Sequence, residues 1–250
     1  MTALVPAGGR DLVDFSRRAE TPELMDADDL PIERYRAVLH DLARVNIATR
    51  ASAPTLHWLD GVAAAGPISI VDVGFGQGDM LRAIARWAQR REQRVSLHGV
   101  DINPRSAPIA TAMTDVSLGI HYHTGDAATI VAAMDHAPDV IISSLVAHHM
   151  TDPELAQFIR WMEQTAQRGW FINDLHRHPL AWRGYQVLAA VMHVDPIVRH
   201  DGALSVRRAF VRSDWERLLV DAAVPAHAVT IRWSLPFRWA IGRRTTAAGA

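Results

Sequence analysis

The stretch Val71-Asp72-Val73-Gly74-Phe75-Gly76-Gln77-Gly78-Asp79 decides how this chain folds. It joins a continuously apolar run, Ile68 to Val73, to a helical pattern from about Gly78 to Arg90. Glycines at alternate positions let the backbone turn tightly and bring N–H groups to a ligand with no Cβ in the way. The spacing is Gly-x-Gly-x-Gly. A dinucleotide fingerprint is Gly-x-Gly-x-x-Gly, and Asp79 stands where its third glycine belongs. An acid at a helix N-terminus repels a pyrophosphate. NAD and FAD are therefore disfavoured.

Working outward, strands and helices alternate. Val95 to Val100 reads as a second strand, followed by a helix from about Pro104 to Thr114. Ile120 to His123 and Asp139 to Ser143 are the third and fourth strands. Pro153 opens a long helix to about Gln167, and Trp170 to Ile172 is the fifth strand. Such alternation predicts a parallel, doubly wound sheet, whose strands are apolar throughout because both faces are covered. Beyond Asp174, Ala181 to Met192 is helical. Ser213 to Ala223 is a further helix, with Ser213 and Glu216 placed for a capping box. Ala228 to Trp233 and Phe237 to Ile241 close the sheet at seven strands. Upstream, residues 1–30 read as a loosely ordered polar start with a short helix near Glu20 to Met25. A helix from Pro31 carries Leu39, Leu42, Ala43, Asn46 and Ile47 at three- and four-residue steps, and another covers Pro54 to Ala65. The expected fold is α/β: a Rossmann-like, doubly wound, mainly parallel seven-stranded sheet.

Bulk properties narrow the function. The chain has 250 residues, 49% hydrophobic and 21% charged, enough for one decorated α/β domain. Its net charge of -1 lacks the Lys/Arg excess of a nucleic-acid binder. With no cysteine, disulfides and thiolate metal sites are excluded. Neither a secretory signal nor an apolar run of membrane-spanning length is visible, which leads to the expectation of a cytoplasmic protein. A homodimer is compatible with all of this.

Acids recur at strand ends. Asp101, in Val100-Asp101-Ile102-Asn103, lies 23 residues past Gly78, where a carboxylate can accept bonds from two ribose hydroxyls. Gly125-Asp126-Ala127 follows the third strand and Ser143-Ser144-Leu145 ends the fourth. With these residues the chain resembles the class I S-adenosylmethionine (SAM)-dependent methyltransferases, over about residues 68–175. The resemblance implies SAM as cofactor, bound by Asp72, Gly74, Phe75, Gly76, Gly78, Asp101, Ile102, Asp126, Ala127, Ser143 and Ser144. It makes residues 1–66 an N-terminal helical lid, with Arg44 and Thr49 as candidate contacts. Residues 67–243 become the SAM-binding domain, with a helical insertion at about 178–212, and 244–250 a flexible tail.

Methyl transfer from a sulfonium needs alignment, and a hydroxyl acceptor also needs a base. Candidates are His148 and His149 after the fourth strand, and His176 after the fifth with Asp174 to orient it. Among 13 histidines, any one can equally be an ordinary hydrogen-bonded surface group. No third ligand with helical spacing accompanies these histidines, so no metal is expected. The run Ser-Ser-Leu-Val-Ala-His-His, then Asn-Asp-Leu-His-Arg from Asn173, then Asp201-Gly202-x-x-Ser205-Val206-Arg207-Arg208-Ala209-Phe210, is similar to bacterial methyltransferases of quinone and aromatic polyketide pathways. That implies a phenolic, quinol or enolic small-molecule acceptor, methylated on oxygen or, second, on carbon. Leu180, Trp182, Tyr185, Leu188 and Met192 are candidate walls for it, or simply core. Arg207 and Arg208 either meet an acceptor carboxylate or cap the sheet edge. The motif of base-amino methyltransferases is missing after the fourth strand. Two rival functions remain: a catalytically silent SAM-binding partner or regulator, and a nicotinamide-dependent oxidoreductase. The second is opposed by Asp79 and by the absence of a Tyr-x-x-x-Lys pair.

Overall fold

The computed structural model describes residues 13–27, 29–62 and 66–245. The glycine-rich stretch sits between β1 (Ile68–Val73) and α3 (Asp79–Arg90), preceded by α1 (Ile32–Ala48) and α2 (Ala53–Leu59). The chain continues through β2 (Val95–Asp101), α4 (Ser106–Ala112), β3 (Ile120–Thr124), α5 (Ala127–Ala132), β4 (Val140–Ser144), α6 (Asp152–Thr165) and β5 (Gly169–Leu175). Two helices follow, α7 (Pro179–Val191) and α8 (Pro196–Arg208), then α9 (Arg212–Asp221), β6 (Val229–Ser234) and β7 (Arg238–Arg244). The seven strands lie in the order β3-β2-β1-β4-β5-β7-β6. All neighbours from β3 to β5 are parallel, and β7 runs antiparallel between β5 and β6. The chain winds outward from β1 to β3 and returns to place β4 beside β1. That reversal opens a crevice at the carboxyl ends of the strands.

Side chains of β1 alternate between two cores, as strand geometry requires. Ile68 and Ile70 pack with Leu81, Ile84, Trp87, Trp58 and Phe171. Val71 and Val73 face the other way, with Leu155, Ile159, Met162, Trp170, Trp215 and Leu218. Asp72 shares the face of Ile70 and is 1% exposed, so its carboxylate is buried where the crevice begins.

Several sequence expectations need correction. The segment from residue 13 to 30 is not loose: Arg18 pairs with Asp152 at 2.5 Å, and Leu24 and Met25 donate their N–H groups to Asp201. Among its described residues the one helical turn is a 3-10 turn at Leu24–Asp26. Residues 1–12 lie outside the described residues. α2 ends at Leu59 rather than Ala65, and residues 63–65 of that expected helix are not among those described. The insertion holds two helices, because Asp195 caps a second one by accepting from the Ile197 N–H. The expected Ser213–Glu216 box does not form: Glu216 pairs with Arg212, while Asp214 accepts the Val211 N–H and starts the helix earlier. A capping box does form at Thr151 and Glu154, opening α6. Arg244 belongs to β7, and the Thr245 N–H donates to Arg168 O. The rest of the expected tail, 246–250, lies outside the described residues.

Candidate active site

A cavity of about 1850 Å³ occupies the crevice. That is larger than the roughly 300–1,000 Å³ of ordinary small-molecule sites, leaving room for two ligands together. Its floor is the glycine turn. Gly74, Gly76 and Gly78 have φ of 77°, 55° and 77°, values that side chains disfavour. A Cβ on Gly78 would stand 2.2 Å from the Tyr122 hydroxyl, and one on Gly74 2.4 Å from Val146 Cγ2. A Cβ on Gly76 meets no atom within 4 Å, so at that residue the backbone borders open space.

The acids surround this cradle. The Gly76 N–H donates to Asp101 Oδ2 at 2.9 Å and the Asn103 N–H to Asp101 Oδ1 at 2.9 Å. A carboxylate has about four lone-pair sites, so Asp101 keeps capacity for a pair of hydroxyl donors. Burial, above all, holds its pKa above the ordinary carboxylate value. Asp72 is pushed well up, by burial first and then by the Asp79 and Asp101 charges. Asp126 caps α5, with Oδ1 accepting from Thr129, and lines the cavity beside Ala127 and the 80%-exposed Ile102. Asp72, Asp79, Asp101 and Asp126 around one cradle suit a cationic ligand, not a pyrophosphate.

The remaining expected cofactor residues divide. Phe75 borders the cavity but is buried against Tyr122, ring centroids 4.8 Å apart. Ser144 lines the cavity and accepts from Asn173 Nδ2. Ser143 and Gly78 do not line it: the Ser143 hydroxyl donates to Val73 O, tying β4 to β1, and Gly78 caps α3.

α1 is bonded to the cradle. Gln77 Nε2 donates to Leu39 O at 2.7 Å and Asn46 Nδ2 to Asp79 Oδ2 at 3.1 Å. Thr49 and Arg44 both line the cavity. Thr49 accepts from Arg238, whereas Arg44 pairs with Asp41. Arg238, from β7, is buried, and burial lowers its pKa to about 10. Its Nε and Nη1 have no partner among the described residues. Sequence reading gave no role to Gln77, an intervening position of the glycine motif, to Asn46 or to Arg238, since each acquires its role by packing.

The histidines separate sharply. His148 is buried, with Nδ1 2.7 Å from Asp174 Oδ1 and its backbone N–H bonded to Asp174 Oδ2. His149 lies beside it, with Nδ1 3.1 Å from Asp26. Burial lowers the His149 pKa, but the Asp26 hydrogen bond and the Glu23 and Asp26 charges outweigh it and leave the group raised. Both imidazoles line the cavity, as does Glu23 from the N-terminal segment. His176 does not. It packs edge-on to Trp239 and accepts from Trp233 Nε1, and burial, with His178 and Arg177 next, takes its pKa down to about 4. Asp174 therefore orients His148, not His176. The reason is the turn at Ala147–His149, which folds the histidine pair back over the end of β5.

Of the candidate walls, Tyr185 and Leu188 line the cavity with Ala181 and Val206. Leu180 is exposed, Trp182 packs on Phe15, and Met192 joins a core with Val38 and Val45. Arg208 is spent on backbone: it donates to His148 O, His149 O and Thr21 O, and so fixes the histidine pair from behind. Neither Arg207 nor Arg208 lines the cavity, so neither is placed to meet an acceptor carboxylate.

Residues 70–169 match the family described as Methyltransferase domain. No curated protein matches the chain. Among solved structures, the magnesium protoporphyrin IX methyltransferase of Synechocystis PCC 6803 with bound SAM aligns at a TM-score of 0.53. It is 14% identical over 86% of this chain and 90% of that one. A SAM-dependent methyltransferase from Aquifex aeolicus aligns at 0.56, with 12% identity over 82% and 97%. A plantazolicin methyltransferase in complex with S-adenosylhomocysteine aligns at 0.50 and 16% identity; this chain covers 65% of its length. At such identities the likeness speaks for the fold alone. Residues 70–169 are thus a methyltransferase domain on the fold that SAM- and SAH-bound methyltransferases share.

Proposed function

We propose that the chain is a class I SAM-dependent methyltransferase that transfers the methyl group to an oxygen of a small phenolic, quinol or enolic acceptor. The observation that carries this reading is the buried Asp174–His148 pair at the cavity wall. Asp174 is an ionised acceptor, so Nδ1 bears the hydrogen and Nε2 is left as a basic lone pair. A general base is what a hydroxyl acceptor needs and an acceptor that is already anionic does not. Tyr185, Leu188 and Val206 add an apolar wall suited to an aromatic body.

In the same reading the glycine turn and Asp72 hold the methionine end of SAM, Asp101 the ribose and Asp126 the adenine. The unpaired donors of Arg238 offer a charge for the cofactor carboxylate. The reaction is an in-line displacement: the acceptor oxygen bonds to the methyl carbon as the C–S bond breaks, and its electron pair stays on sulfur. Asp101→Ala removes charge-assisted bonds of about 1.5–3 kcal/mol in total. Calorimetric SAM affinity is expected to fall accordingly, by roughly ten- to a hundredfold or a little more. Unchanged affinity would take Asp101 out of the site.

The test of the acceptor class is incubation with SAM and a panel of phenols, quinols, carboxylic acids and amines, read by product mass. Methyl ethers from the hydroxyl compounds support the proposal. Methyl esters or methylamines as the only products would reject it. A protein that binds SAM and methylates nothing in the panel would favour the regulatory reading.

A further inference from the structure

The corner of the cavity around His148 holds a grouping that a single base does not explain. Glu23 is only 4% exposed. Its Oε1 lies 3.6 Å from His148 Nε2 and its Oε2 3.7 Å from His149 Nε2. One ligand atom from each of the three residues falls within 4.8 Å of the others. The remaining ring nitrogens are already engaged, His148 Nδ1 with Asp174 and His149 Nδ1 with Asp26. An ionised carboxylate only accepts, so each Nδ1 carries the hydrogen and each Nε2 is turned toward Glu23. Glu23 and Asp26, whose charges raise the His149 pKa, favour positive charge among the three groups.

A proton fills that gap poorly, because 3.6–3.7 Å is beyond hydrogen-bond length. A metal ion fills it well. With bonds of about 2.0–2.1 Å, neighbouring donors around a tetrahedral or octahedral ion stand roughly 3–3.4 Å apart, a contraction of a few tenths of an ångström. The outer contacts point the same way. Histidine ligands commonly donate their other N–H to a carboxylate, which fixes tautomer and ring orientation, and here both do. Charge agrees as well: Glu23 and Asp26 act on His149, and Asp174 on His148, while the nearby Arg18 is paired with Asp152 and Arg208 is spent on backbone carbonyls. Among the described residues no other group of three such ligands converges.

We propose that Glu23, His148 and His149 bind a divalent cation of the Zn²⁺, Mn²⁺ or Fe²⁺ class, with its remaining coordination positions turned to the cavity. Two imidazoles, one carboxylate and no thiolate suit that group of metals. The proposal rests on the hydroxyl-acceptor reading and deepens it. Bound there, the ion would lower the pKa of the acceptor hydroxyl, whose proton would pass to solvent water, so that His148 would serve the deprotonation proposed above through the ion it holds.

The experiment uses the full chain, stripped with a chelator and titrated with Zn²⁺ by calorimetry, with Co²⁺ absorption as a second readout. One ion per chain is expected, with affinity falling at least about tenfold in Glu23→Ala and in His149→Ala. His121→Ala, in the histidine ladder at the sheet edge, is the control and should bind as the wild type does. Two ligand variants guard against one failing to fold, and a Zn²⁺-dependent rise in Tm should appear in the wild type and the His121→Ala control but in neither ligand variant. No binding by the stripped protein, or binding untouched by both ligand variants, overturns the site. Full turnover of a hydroxyl acceptor by metal-free enzyme overturns the cation and leaves His148 as base. Bound metal with no hydroxyl acceptor methylated leaves the site standing and rejects the acceptor class.

Discussion

Replacing His148 by alanine is expected to lower kcat by about 10²–10⁴-fold, the usual contribution of a positioned acid–base group. SAM affinity should hold, because the glycine cradle and Asp101 bind nothing of His148. His148 is fixed at four places: Asp174 takes its ring Nδ1–H and its backbone N–H, and Arg208 and Arg18 hold its carbonyl. So many restraints on one residue are more than packing requires. They keep Nε2 aimed, which is what transfer chemistry rewards. Steady-state rates with a hydroxyl acceptor, alongside calorimetry with SAM, separate the outcomes. A kcat near that of the wild type would remove His148 from the chemistry. Loss of SAM binding together with rate would mean that the wall had collapsed, and thermal unfolding would reveal it.

Asp174→Ala is expected to cost about 3–5 kcal/mol of stability, since three buried donors lose their acceptor at about 1–2 kcal/mol each. Asp174 is fully buried, and its oxygens accept from His148 Nδ1, the His148 N–H and the Leu175 N–H. Without it, three donors have no acceptor and cannot reach water. For a chain of this length the drop in Tm is roughly 6–20 °C. The pH dependence has a definite sign. Burial pushes the Asp174 pKa up, but the His148 charge and the hydrogen bonds outweigh it and hold the group below its ordinary value. A carboxyl depressed in the folded state stabilises fully above its unfolded pKa, about 3.9, and loses that contribution as pH falls through the folded value. The stability gap between wild type and variant should therefore be constant near neutrality and narrow only below about pH 4. A gap that narrowed instead between pH 6 and 8 would assign the effect to the histidine.

The parts of the fold that were legible have local causes. The apolar runs of β1, β2, β4 and β5 announced a sheet covered on both faces, and alternation with helices made it parallel. Glycine spacing, Asp79 and the strand-end acids pointed to SAM before any tertiary contact was known, because turn chemistry and helix termini act within a few residues. α5 and α8 were missed: one is a six-residue helix begun by the Asp126 cap, the other follows a cap at Asp195 inside a stretch without clear periodicity. The Ser213–Glu216 box was a valid local signal overruled at long range, since Asp214 is engaged by Arg177 and starts the helix itself.

The candidate site divides along the same line. That His148 and His149 stand together follows from their adjacency in the chain, and that Asp101 reaches the glycine turn follows from the order of strand ends. Which carboxylate serves which histidine does not. Asp174 was equally available to His176, two residues away, and only the folding of the Ala147–His149 turn over β5 gave it to His148. Glu23 reaches the pair across more than a hundred residues because Ser205, Asp201 and Arg208 pin the N-terminal segment against α8. By itself, then, the sequence determined the doubly wound sheet and the glycine turn with acids at the neighbouring strand ends, all of which rest on periodicity and short-range spacing. Tertiary structure alone decided the Asp174–His148 pairing, the burial of Arg238 and the meeting of Glu23 with two histidines, because each depends on which distant segments share one desolvated corner.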